Sequence, residues 1–74
     1  VMQVYPNPSS WLLNWDNPAI IQIDVFDTGG RLRHSFQPSP DQRQTDLSSL
    51  PAGLYLIRMS DGRQVRTQKV ILAR

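Results

Sequence analysis

Six aspartates, one histidine and a scatter of serines are the groups in this 74-residue chain that could carry acid–base or nucleophilic chemistry. Their spacing argues against each use. Asp16, Asp24, Asp27, Asp41, Asp46 and Asp61 could in principle pair as acid and base or ligate calcium, but none stands in the alternating oxygen pattern of a calcium loop. Turn formation and solvation explain them better. His34, between Leu32 and Phe36 at alternation spacing, reads as a packed or half-buried strand residue rather than a base. Serines 9, 10, 35, 39, 48, 49 and 60 cluster around turns, where hydroxyls bond local backbone. There is no cysteine, hence no thiol nucleophile, thiolate metal site or disulfide. No phosphate cradle or zinc spacing occurs. The chain is expected to be non-catalytic, with no cofactor and no metal.

Tyr5, Trp11 and Trp15 lie close together in sequence and could form a sugar platform. Trp11 and Trp15 are four apart, so on a regular strand they share a face, and that face could equally be an inner wall. The charge of +2 comes from seven Arg and one Lys against six Asp. The cations are spread along the chain without the dense run that neutralising several phosphates requires, which excludes nucleic acid as the expected partner. No apolar run approaches the roughly 20 residues that span a bilayer, and the N-terminus lacks a signal-peptide layout.

The elements that must position these residues are expected to be strands. All acidic residues are Asp and Glu is absent; Asp competes with helix by bonding nearby backbone, whereas the scarce Lys, Ala and missing Glu are the residues that fill exposed helix. Prolines 6, 8, 18, 38, 40 and 51 and glycines 29, 30, 53 and 62 divide the chain into strand-length runs. These are 1–5, 10–15, 19–27, 31–37, 44–47, 53–59 and 63–72. Seven short strands with frequent turns predict an all-β fold, a small antiparallel sandwich of immunoglobulin-like architecture. One helical turn is expected at Leu47-Ser48-Ser49-Leu50, with both leucines pointing inward.

Side-chain parity predicts the hairpin registers. Ile21, Ile23 and Val25 share a face, as do Leu32, His34 and Phe36, so an even loop around Thr28-Gly29 should place Val25 opposite Leu32, Ile23 opposite His34 and Ile21 opposite Phe36. Asp27 can bond back to the turn. In the last hairpin Tyr55, Ile57 and Met59 should face Val65 and Ile71, which requires a three-residue Ser60-Asp61-Gly62 loop, Gly62 left-handed, with Ile57 opposite Val65.

Three blocks, Val4-Tyr5-Pro6-Asn7-Pro8-Ser9-Ser10, Val25-Phe26-Asp27-Thr28-Gly29-Gly30-Arg31, and Leu47 to Arg58 with the closing Lys69-Val70-Ile71-Leu72-Ala73-Arg74, together resemble the C-terminal sorting domain of the bacterial type IX secretion system (type A; Por secretion family). The motif positions are Tyr5, Pro6, Asn7, Pro8, Asp27, Gly30, Arg31, Leu50 and Tyr55. Members often carry Gly soon after Pro-Asn-Pro, where this chain has Trp11, so the corner is expected either to turn differently or to use Trp11 to cover an apolar surface.

The resemblance implies a label on a larger protein. Residues 1–74 would be one sorting domain, and because the first strand starts at residue 1 without a linker, a piece cut from a secreted parent is expected. The implied partners are a covalently attached N-terminal cargo, the outer-membrane translocon and its shuttle protein, and a sortase-like cysteine peptidase that removes the domain before the cargo is attached at the cell surface or released. The expected recognition surface is Pro51, Ala52, Gly53, Arg58, Lys69, Val70, Ile71, Leu72, Ala73 and Arg74, which combines a corner, cations and a strand edge. Open edges also allow self-association. The alternative reading is an immunoglobulin-like carbohydrate-binding or spacer module of a secreted enzyme, for which an exposed Trp11–Trp15 pair would speak.

Overall fold

The computed structural model describes residues 2–7, Asn7 by its backbone, and 11–73. The strand ends expected at Val1 and Ser10, and the site positions Pro8 and Arg74, lie outside the described residues. Seven strands run in chain order: β1 (Val4–Asn7), β2 (Leu12–Trp15), β3 (Gln22–Asp27), β4 (Leu32–Phe36), β5 (Gln44–Asp46), β6 (Gly53–Ser60) and β7 (Val65–Leu72). They form an antiparallel three-stranded sheet in the order β1-β2-β5 and a four-stranded one in the order β4-β3-β6-β7. The two sheets pack as the predicted sandwich. β4 pairs with β3 instead of joining the first sheet, a variation within immunoglobulin-like arrangements.

Alternation builds the core. Leu13 and Trp15 on β2, Ile23 and Val25 on β3, Tyr55, Ile57 and Met59 on β6, and Val70 and Leu72 on β7 all bury their side chains between the sheets. Loop residues Met2, Trp11, Ile20, Leu47 and Leu50 close its ends. Leu47 and Leu50 lie in a hydrogen-bonded turn, Leu50 N–H donating to Leu47 O at 3.0 Å, so the expected inward pair is present. Trp11 has φ 58° and is 5% exposed. It takes the left-handed backbone that glycine adopts freely, at a cost of about 1–2 kcal/mol, offset by burial of a whole indole. Trp11 itself therefore takes a glycine-like backbone and covers apolar surface.

Both hairpin registers differ from expectation. In β3–β4 the loop is Thr28-Gly29-Gly30: Gly30 (φ 82°) donates to Asp27 O at 3.1 Å and Asp27 N–H to Arg31 O at 3.0 Å. An odd loop would put the wrong face of β4 inward, and a register shift beside Val25/Phe26 corrects this, the extra residue being Arg33. Val25 is thus opposite His34 and Ile23 opposite Phe36, while Leu32 faces Phe26. Ile21 precedes β3 and is exposed, Ile20 filling the core instead.

In β6–β7 the chain reverses over Gly62-Arg63. Asp61 Oδ1 accepts the N–H groups of Arg63 (2.8 Å) and Gln64 (2.7 Å), and Asp61 N–H donates to Gln64 O at 3.2 Å. Gly62 has the expected positive φ, 89°, and a Cβ there would stand 3.2 Å from Ile21 Cδ1. Carrying the reversal past Gly62 shifts parity by one, so Ile57 lies opposite Gln68, not Val65. Val70 and Leu72 enter the core, and Val65 and Ile71 face water.

Candidate functional site

The outer face of the four-stranded sheet follows from these registers, because directly paired residues share a face. One row across it runs Ser35, Asp24, Arg58, Thr67 and the next Leu32, Phe26, Leu56, Lys69. Leu54 lies opposite Ile71 beyond them. Leu32 and Ile71 are 55% and 63% exposed, Leu54 is exposed, and Phe26 and Leu56 are half-buried. An apolar band therefore crosses the sheet to its C-terminal edge.

Asp24 anchors the polar row. It is the buried charged residue among those described, 7% exposed. Its Oδ1 accepts from Ser35 Oγ at 2.6 Å and Gln22 Nε2 at 3.0 Å, and its Oδ2 from Arg58 Nη2 at 2.9 Å and Nε at 3.2 Å. Burial pushes this carboxyl up, but the bonds from Ser35, Gln22 and Arg58, with the guanidinium charge, outweigh it and hold the group below its ordinary 3.8. Arg58 is thereby laid over Phe26, its Cζ 5.0 Å from the ring centroid. The expected recognition cation is fixed in place by its own sheet.

Of the expected recognition residues, the structure brings the corner and the strand end together. Gly53 pairs with Leu72, so exposed Pro51 and Ala52 stand beside Ala73. Tyr55 Oη donates to Pro51 O at 2.6 Å, a buried phenol tying the corner to its own strand. Lys69 and Ile71 project outward, whereas the side chains of Val70 and Leu72 belong to the core. Asp27, opposite Tyr55, brings the Asp27–Arg31 turn to the same end. Its Oδ1 accepts from Arg31 N–H at 3.0 Å and Gly29 N–H at 2.9 Å, bonds that lower its carboxyl, and Arg33 approaches Oδ2 at 3.5 Å.

Tyr5, Pro6 and Asn7 lie on the other sheet, opposite Asn14, Leu13 and Leu12. Asp46 also pairs with Leu12, and Leu47 N–H donates to Trp11 O at 2.9 Å, before the chain crosses through Leu50 to the corner. The Asp27–Arg31 turn, the Pro51–Gly53 corner and the end of β7 thus lie at one end of the four-stranded sheet.

Gln68 is a residue that sequence reasoning missed. Its side-chain amide accepts Val4 N–H at 3.0 Å and donates to Val4 O at 2.8 Å, mimicking a peptide group. β7 is an edge strand of its sheet and β1 an edge strand of the other, and this amide closes them against each other at that point. Nothing in the sequence marks it. The apolar outer band was missed too, although Leu54-Tyr55-Leu56-Ile57 is an unbroken apolar run, the signal of a strand apolar on both faces.

Trp11 and Trp15 are both buried, so they present no aromatic platform. His34 is exposed and its ring lies 5.2 Å from that of Phe36. Among the described residues no group of three or more His, Cys, Asp or Glu side chains could hold a metal ion, and no helix is long and apolar enough to cross a membrane. No curated protein matches the chain. The model of one family does, over residues 3–73, and that family is described as the secretion system C-terminal sorting domain.

Proposed function

The chain belongs to the secretion system C-terminal sorting domain family of type IX secretion, and from that membership we propose that it is a non-catalytic address read in folded form on a larger secreted protein. Membership supports a sorting role and implies association with the type IX machinery and export across the outer membrane. Beyond that, the proposed course is recognition of the domain by the outer-membrane translocon and its shuttle protein. A sortase-like cysteine peptidase then removes it, and the cargo is attached at the cell surface or released. The proposed contact region is the Pro51-Ala52-Gly53 corner with Arg58 and the edge from Lys69 to Arg74.

The observation that carries this reading is the family match along nearly the whole chain. The convergence of corner, turn and strand end supports it, since a folded address needs its parts in one place. The test is surface delivery of a full-length cargo in a type IX-secreting bacterium. Deleting Val70 to Arg74 would conflate recognition with unfolding, because Val70 and Leu72 are core residues. Removing residues 1–74 should leave the cargo undelivered; undiminished surface delivery would end the sorting reading.

A further inference from the structure

We propose that the apolar outer face of β4-β3-β6-β7 is the docking surface for a protein partner that presents an apolar strip bordered by carboxylates. This rests on the sorting reading and adds to it the chemistry of the receptor. Exposed Leu32, Leu54 and Ile71 lie on one face with half-buried Phe26 and Leu56 between them, a contiguous apolar patch of the kind that marks an interaction site. The composition agrees: an aromatic ring and an arginine at the centre, leucines and an isoleucine around them, and a lysine at the rim.

Charge selects the partner. The two carboxylates of this region are already engaged, Asp24 by Arg58, Ser35 and Gln22 and Asp27 by its own turn and Arg33. Among the described residues the ion pairs are Arg33–Asp27 and Arg58–Asp24. Lys69, exposed at the end of the Leu32-Phe26-Leu56 row, belongs to neither. The face therefore offers positive charge beside an apolar surface, and complementarity requires acidic groups opposite Lys69.

Its makeup favours protein over lipid. Phe26 and Leu56 are half-buried, and the Arg58 guanidinium, held by Asp24, lies over the Phe26 ring. A ring and an arginine locked together by a buried carboxylate at the centre of the face suit close packing against another protein, and the sorting family implies a protein machinery to pack against. The band also passes without a break into the strand end proposed for recognition, through Leu54 and Ile71.

The experiment uses full-length cargo in a type IX-secreting bacterium, with a benzophenone amino acid at position 54 as photo-crosslinking probe. Lys69→Glu is expected to reduce both the protein crosslink and surface delivery about tenfold, the scale of one close interfacial charge pair. Lys69→Arg should preserve both, and Gln44→Glu on the opposite sheet should leave them unchanged. Thermal unfolding of purified Lys69→Glu fusion within ~2 °C of the parent shows that an exposed charge, not the fold, was altered. Normal crosslinking and delivery by Lys69→Glu would overturn the proposal while leaving the sorting role intact. Sign-dependent binding to phosphatidylglycerol vesicles without any protein crosslink would also overturn it, in favour of a membrane surface. Normal delivery after removal of residues 1–74 would instead overturn the sorting reading itself.

Discussion

Asn14, at the centre of the three-stranded sheet's outer face, donates to Tyr5 O at 3.2 Å and accepts from Gln44 Nε2 at 2.9 Å. Phe26, at the centre of the four-stranded sheet's outer face, has Leu32 on one side and Leu56 on the other. The first surface is mainly polar, an amide ladder beside one exposed ring, Tyr5, whose hydroxyl donates to Gln3. The second leaves apolar area in solvent although the core between the sheets already takes Trp11, Trp15 and the aliphatic residues of β2, β3, β6 and β7. Stability alone does not call for that second surface, since exposed leucines add nothing to the core; the proposed docking would. Two sheets of one small sandwich thus share an interior and differ in what they show outside.

The change expected to erase this contrast altogether is Ile57→Ala. Ile57 is fully buried between the sheets, and the substitution should cost about 2–5 kcal/mol, much of what so small a domain holds. Urea unfolding should show both faces lost in one transition, and separate transitions for the two sheets would break the picture of a shared core. Gln68→Leu comes next: losing both bonds to Val4 should cost about 1–3 kcal/mol and raise amide exchange at Val4. Unchanged exchange there would mean that the amide does not hold the sheets' edges together.

The polar row of the apolar face gives a pH test. Asp24 has a lowered folded-state pKa, so its contribution is present above the unfolded value and is lost as pH falls through the folded one, below about pH 4. Asp24→Asn should lower stability at neutral pH by about 1–2 kcal/mol and flatten the acid limb of urea midpoints. A parallel, undiminished acid limb would assign the acid response to other groups, such as Asp27, Asp46 and Asp61, whose carboxyls are also lowered by accepted hydrogen bonds. The smallest effect belongs to Asn14→Ala, under about 1 kcal/mol, because the ladder is exposed and water replaces its bonds. A larger loss would show that the amide ladder holds its sheet together rather than merely finishing its surface.

The existence and order of the seven strands were legible because Pro and Gly stand between apolar runs and no helix-forming composition competes. Registers were not. β7 contains Val65 and Ile71 at one parity and Val70 and Leu72 at the other, so alternation alone could not choose its inner face; the Asp61 carboxylate, by capturing two turn amides, moved the reversal and decided it. In β3–β4 the inner face could be read for Ile23, Val25, His34 and Phe36, but an odd loop and a bulge put Leu32 on the outer face in a way that spacing does not reveal, and Ile21 fell outside the strand. The corner, Lys69 and Arg58 were identifiable as candidates, whereas the apolar band joining them depends on those same registers.

The opening comparison of faces has the same origin. Composition and punctuation by themselves determined an all-β domain of short strands, with a core of alternating apolar residues and without a thiol or a helix, because these follow from local backbone preferences. Only the tertiary structure decided that Gln68 reaches Val4, that Arg58 lies across Phe26 against Asp24, and that Leu32, Phe26, Leu56, Leu54 and Ile71 form one surface. A strand's outward face has no identity until its neighbours and register are set, and in this chain those were set by turn hydrogen bonds and core fit rather than by any single run of residues.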